Sequence, residues 1–146
     1  MEQVRKVATK TSIVDRAEGV IRKLKKDKYG KIALKTNQIR KFLTAVNILA
    51  NKVAIYKAEH PGIKKLPEEL IDEVQYLQVK LIYQVGREKN DTKPQFQPGP
   101  VEDFVNNAGL ISAVKNIGNS IAEFEKFNRY MEALVAYHKF YGGRDA

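Results

Sequence analysis

Apolar residues recur along this chain at intervals of three and four, and almost nowhere at two. That spacing lines one face of a helix and leaves little that predicts strands. The first run predicts a helix over 12–26. Ser12 stands at its N-cap, and Ile13, Ala17, Val20, Ile21 and Leu24 share a face. Lys28-Tyr29-Gly30-Lys31 breaks it. A second helix is predicted over 37–59, with Thr36 as N-cap and a stripe of Ile39, Phe42, Leu43, Val46, Leu49, Ala50, Val53 and Tyr56. His60-Pro61-Gly62 stops it, because proline disfavours helix in the residue before it.

A third helix is predicted to open at Pro67, where a fixed φ and the charges of Glu68 and Glu69 suit a helix N-terminus. It runs to about Lys89. Between Asp91 and Pro100 stand Pro94, Pro98 and Pro100, which predict an extended loop. A fourth helical region covers 101–117, with an interruption near Gly109. The fifth begins at Ser120-Ile-Ala-Glu123, a capping-box pattern, and runs to Tyr141 before Gly142-Gly143. The expected fold class is therefore all-α, a compact bundle of about five helices. The expected organisation is a single domain over 1–146, with residues 1–11 flexible and 91–100 a Pro-rich loop.

Composition narrows the function classes. Cysteine is absent, which removes disulfides, thiolate metal sites and Cys nucleophiles and fits a reducing compartment. The longest stretch without a charge, Phe104 to Val114, is far short of the roughly 20 apolar residues of a spanning helix. The N-terminus lacks the apolar run of a signal peptide. The expectation is a cytoplasmic protein with no membrane partner. The net charge is +9. Residues 1–60 carry 15 Lys and Arg against 5 Asp and Glu, whereas residues 61–146 carry 11 against 12. The excess therefore sits in the first two-fifths of the chain, densest over Arg22 to Lys28. Such a cluster is either a solvated, partly disordered basic arm or an anchor for phosphates that would not choose among sequences.

Nothing in the chain predicts catalysis. His60 and His138 are the only histidines; His60 precedes a proline at a helix end, and His138 falls on an apolar face, where a structural role is expected. No metal-ligand spacing and no glycine-rich phosphate loop occurs, so no cofactor is expected. The carboxylate pairs Glu68-Glu69, Asp72-Glu73 and Glu102-Asp103 all fall near predicted helix N-termini, where they complement the dipole.

The third helix carries the most informative pattern. Tyr76, Lys80, Tyr83 and Arg87 are spaced four, three and four, so they project within about 60° of one another. The rest of that helix is largely apolar, which predicts a mostly buried helix exposing one ribbon of alternating aromatic and cation. Cations neutralise phosphates and tyrosine stacks on bases, so the ribbon suits RNA. It equally suits tyrosines that seal helix contacts while Lys and Arg extend into solvent. On the second helix Arg40, Lys41 and Lys52 lie off the apolar stripe. On the fifth, Arg129 does the same, with Glu125 four residues before it as a partner within the helix.

Four segments then carry a resemblance. Lys35-Thr-Asn-Gln-Ile-Arg-Lys-Phe-Leu43, Tyr76-Leu-Gln-Val-Lys80, Tyr83-Gln-Val-Gly-Arg-Glu88 and Arg129-Tyr-Met-Glu-Ala-Leu-Val-Ala-Tyr-His-Lys-Phe-Tyr-Gly-Gly143 resemble the small subunit of type III-A CRISPR effector (Csm) complexes. The likeness covers roughly residues 13–145, in the family's order, and the last two segments are the specific ones. The Pro-rich loop at 91–100 departs from the family's more direct connection. The resemblance implies a small helical protein without activity of its own. Several copies stack along a cytoplasmic ribonucleoprotein beside the repeated backbone subunit and the large subunit, and contact the backbone of the guide and target RNA. Under that reading Arg40, Lys41, Lys52, Tyr76, Lys80, Tyr83, Arg87 and Arg129 are the expected RNA contacts. The alternatives are a stand-alone, sequence-independent RNA- or DNA-binding protein and a pure protein scaffold.

Overall fold

The computed structural model describes residues 12–145. The expected flexibility of 1–11 lies outside the described residues. Six α-helices are present among them: α1 (Ile13–Lys23), α2 (Thr36–Glu59), α3 (Glu68–Asp91), α4 (Pro100–Ala108), α5 (Leu110–Ile117) and α6 (Ile121–Phe140). A short 3-10 turn, Pro94–Phe96, lies between α3 and α4. Extended pairing among these residues is limited to two isolated bridges, Lys26 with Ile32 and Lys65 with Ser120. The fold is the expected all-α bundle, with six helices in place of about five. Gly109 makes the difference: its φ of 63° ends α4 and starts α5 where an interruption was expected.

Two long pairs build the bundle. α2 and α3 run antiparallel, and α1 packs along α6. The short helices fill the space between, with α4 against α1 and α3, and α5 against α3 and α6. Phe42, Phe104 and Phe124 are fully buried at the centre with Leu77, Leu110 and Leu134. Each such side chain stabilises the fold by about 1.5–3 kcal/mol. Beside them the Tyr130 hydroxyl donates to the Ala108 carbonyl at 2.8 Å, and the Arg16 guanidinium lies 4.9 Å from the Tyr130 ring centre. Burial raises the Tyr130 hydroxyl above the usual tyrosine range, against the pull of Arg16.

The helix ends show where local patterns hold and where distant groups intervene. Ser12 caps α1 through the Asp15 N–H at 3.0 Å, and Ser120 caps α6 through the Glu123 N–H at 3.1 Å. α1 is shorter than expected, ending at Lys23, because Leu24 turns to an extended conformation. Thr36 is inside α2, not its N-cap; that position is held by Lys35. The Gln38 side chain accepts the Lys35 N–H at 2.8 Å. The Thr36 and Asn37 N–H groups donate to the Arg144 and Asp145 carbonyls at 2.9 and 3.1 Å. The C-terminal segment thus satisfies the free end of a helix distant in sequence.

The basic segment after α1 is an ordered turn, not a disordered arm. Asp27 organises it: one carboxylate oxygen accepts the Tyr29 N–H at 2.8 Å and the Lys31 N–H at 3.0 Å. The Asp27 N–H donates to the Lys31 carbonyl at 2.6 Å, and the Ala33 N–H to the Lys25 carbonyl at 2.9 Å. The bond from the Lys31 N–H leads the effects that hold the Asp27 carboxyl below its ordinary range, with the Tyr29 N–H and the nearby Arg144 and Lys31 charges assisting. Ile32 and Leu34 are buried at the base of the turn.

Candidate nucleic-acid interface

The α2–α3 pair carries most of the residues singled out in the sequence. Ile39, Phe42, Val46, Leu49 and Val53 bury one stripe of α2, while Leu70, Val74, Leu77 and Leu81 bury one stripe of α3. With those stripes inward, Arg40, Lys41 and Lys52 on α2 are exposed, as are Tyr76, Lys80, Tyr83 and Arg87 on α3.

Lys41 meets the ribbon of α3. Lys41, Tyr76, Val79, Lys80, Tyr83 and Gln84 line one open depression of about 290 Å3 floored by Phe42. Lys80 Nζ lies 5.7 Å from the centre of the Tyr76 ring, within reach of a cation–π contact. The depression continues in both directions along the seam. Towards the start of α3, Tyr76 and Lys80 also line a groove of about 470 Å3 with Ile48, Asp72 and Glu73. Towards its end, Gln84 also lines one of about 370 Å3 with Asn37, Arg87, Glu88 and Asp91. Carboxylates line both ends of the seam: Glu88 and Asp91 one, and Asp72 and Glu73, expected to serve only the helix dipole, the acidic end towards the start of α3.

Lys52 lies beyond that acidic end, with Nζ 2.7 Å from a Glu73 carboxylate oxygen. Both groups are exposed, so the pair is weakly held. Arg40 is exposed beside Lys41 but lines none of the three depressions. Arg129 is on α6, apart from the seam; its neighbour Asn128 lines a separate depression with Asn47 and Glu132. Glu125 does not pair with Arg129. It pairs with Lys57 of α2 at 3.0 Å, because the packing of α6 on α2 brings that ammonium to it. Arg129 is exposed and has no carboxylate partner among the described residues.

The structure corrects the picture of α3 as mostly buried. Val79 and Ile82 are 48% and 57% exposed, so only a narrow stripe faces the core. Composition overstated the burial because the neighbours of this helix among the described residues, α2, α4 and α5, leave Val79 and Ile82 uncovered. Ile48 and Val79 therefore add an apolar margin to a seam that carried only tyrosines and cations in the sequence reading. Gln84 was also missed; a lone glutamine on a helix carries no signal without its neighbours.

His138 is structural. It is buried, with Nε2 2.8 Å from the Leu34 carbonyl. His60 is exposed at the end of α2, stacked on Tyr56 with ring centres 4.2 Å apart. Among the described residues, no three His, Asp or Glu side chains come together as a metal site. None of the described helices is long and apolar enough to cross a membrane.

A family model described as Csm2 Type III-A matches residues 8–144. The chain is 38% identical over 139 residues to the CRISPR system Cms protein Csm2 of Streptococcus thermophilus, covering 95% of this chain and 98% of that one. It is 39% identical over 126 residues to the protein of the same name in Mycobacterium tuberculosis H37Rv, covering 86% and 89%. Against that of Enterococcus italicus it is 32% identical over 108 residues, covering 74% and 68%.

Proposed function

The chain belongs to the Csm2 type III-A family, a small subunit of Csm complexes, and from that premise we propose that it works without catalysis, stacking along the complex and holding the backbone of the guide–target RNA. Its partners are then the two RNAs, the repeated backbone subunit, the large subunit and further copies of itself, in the cytoplasm. The chain acts as one helical domain. The observation that carries the reading is the single depression in which Lys41 from α2 meets Tyr76, Lys80 and Tyr83 from α3. Cations at that spacing neutralise phosphates, and the tyrosine faces pack on sugars or bases. Neither chooses a sequence, which suits an assembly where base pairing does the choosing. Arg40 and Arg87 extend the positive strip, and Lys52 and Arg129 add charge outside it.

The test is a reconstituted complex carrying Ala at Arg40, Lys41, Lys52, Lys80, Arg87 and Arg129. Each side chain is exposed, so the fold is expected to survive. Target-RNA affinity is expected to fall, by most at low salt, and the logarithmic salt slope to flatten, because fewer phosphate contacts release counterions. A variant that assembles and retains target RNA like the parent across a salt series would sink the assignment. The exposed Ile48 and Val79 favour a second reading, in which part of this seam meets a neighbouring subunit. Loss of assembly, with no loss of RNA retention in the complexes that do form, would support that reading.

A further inference from the structure

We propose that the turn between Lys25 and Leu34 is a second nucleic-acid contact, whose tip stacks Tyr29 on an unpaired base while Lys28 and Lys31 hold the flanking phosphates. From the function above the inference takes only its class of ligand. The site is separate, since Lys28, Tyr29 and Lys31 line none of the α2–α3 depressions.

Charge is the first observation. Arg22 to Lys35 contains seven Lys and Arg and one acid, Asp27. Asp27 offsets one of those charges and turns its oxygens to the Tyr29 and Lys31 N–H groups and to Arg144 at 3.4 Å, so the excess at the turn stays strongly positive. Two of the cations are also engaged: the Lys25 ammonium donates to the Pro98 carbonyl, and that of Lys26 to the Arg22 and Leu24 carbonyls. Lys28 and Lys31 form no ion pair with a carboxylate among the described residues.

Shape is the second. The base of the turn is fixed by the buried Ile32 and Leu34 and by the Lys25 N–H donating to Asp103 at 2.9 Å. Gly30, with φ of 78°, closes the tip as only glycine does without strain. On that rigid support Tyr29 is 75% exposed, and Lys28 Nζ lies 5.2 Å from its ring centre. An exposed aromatic ring on an ordered turn, with lysines before and after it in the chain, binds a single strand without the cost of ordering the backbone. A duplex hides its base faces and offers the tip phosphates alone.

The chain has no tryptophan, so Tyr29→Trp places one reporter at the tip. At the low salt that favours phosphate contacts, about 50 mM, oligouridylate and oligothymidylate of about 12 nucleotides are both expected to quench its emission to saturation. Lys28→Ala with Lys31→Ala in that background is expected to raise the half-quenching concentration about ten-fold. It should also flatten the logarithmic salt slope by about 1.4, two contacts at roughly 0.7 each. Lys41→Ala, Lys80→Ala and Arg87→Ala together are expected to leave the quench in place, so failure of the seam and failure of the tip are read separately. The proposal is overturned if oligouridylate does not quench, or if the quench depends on the seam cations alone. It is equally overturned if a blunt RNA duplex or poly-glutamate quenches as strongly as the single strand; the last result would mark a docking point for acidic protein.

Discussion

Gly143 has no side chain because His138 occupies the space one would need. A Cβ added there would lie 2.2 Å from His138 Cε1. The ring cannot readily retreat, since its Nε2 is bonded to the Leu34 carbonyl. The two glycines of this ending therefore do different work. Gly142, with φ of 95°, takes the left-handed position that ends α6; its N–H donates to the Lys139 carbonyl at 3.1 Å and that of Gly143 to the His138 carbonyl at 2.7 Å. The helix stop was legible in the sequence. The reason for the second glycine was not, because it depends on a ring anchored to a residue before α2. Gly143→Ala is expected to cost about 1–3 kcal/mol, as overpacking does. Gly19→Ala, at an open position within α1, is expected to gain about 0.5–1 kcal/mol. Thermal unfolding of the two variants checks the contrast; equal midpoints would refute the packing account.

Among the elements, α4 has no cap of its own. It starts at Gly99-Pro100, and neither residue offers a side-chain acceptor. The acceptor comes from α3: the Glu88 carboxylate takes the Val101 N–H at 2.8 Å and the Glu102 N–H at 3.0 Å. A Cβ on Gly99 would lie 2.4 Å from Glu88 Cδ, so that glycine permits the approach. The Pro-rich loop thus folds back to lay the start of α4 on an anion near the end of α3, which suits the helix dipole as well. Glu88→Ala is expected to cost about 1.5–3 kcal/mol, the range for hydrogen bonds to a charged group. It should also speed amide exchange at Val101 and Glu102. Unchanged exchange there would show that α4 does not depend on this cap. Helix positions were legible here because each has its own periodic stripe, even to the break at Gly109. Ends supplied by remote groups were not: Thr36 matched the local pattern of a cap, but the tail carbonyls made Lys35 the boundary. The order of the basic turn was hidden for a similar reason, since charge density says nothing of what one aspartate does for the backbone around it.

For the whole molecule, the proposed role raises the question of how a small basic chain would hold RNA firmly enough to matter. The ribbon on α3 was readable from spacing alone. Its junction with Lys41 was not, because the register of α2 on α3 is set by buried stripes whose pairing no local pattern states. That junction offers only a few cations and two aromatic faces, on a seam with carboxylates at both ends. Under the proposed role one copy would therefore touch a short length of backbone, and each exposed cation contributes little by itself. Copies repeated along one RNA present the same contacts at intervals, and linking weak contacts raises their combined affinity through effective concentration. The isolated chain is thus expected to bind RNA weakly and without sequence preference, and the assembled complex tightly. The apolar margin of Ile48 and Val79 is small beside a permanent interface, so the free protein is expected to self-associate only transiently. Titrating free protein and reconstituted complex against two unrelated RNAs of equal length, at matched salt, measures the gain. Tight, sequence-selective binding by the free chain would contradict this account and favour a stand-alone RNA-binding protein. A free chain that binds weakly, joined to a complex that binds no better, would leave the seam to protein contacts alone.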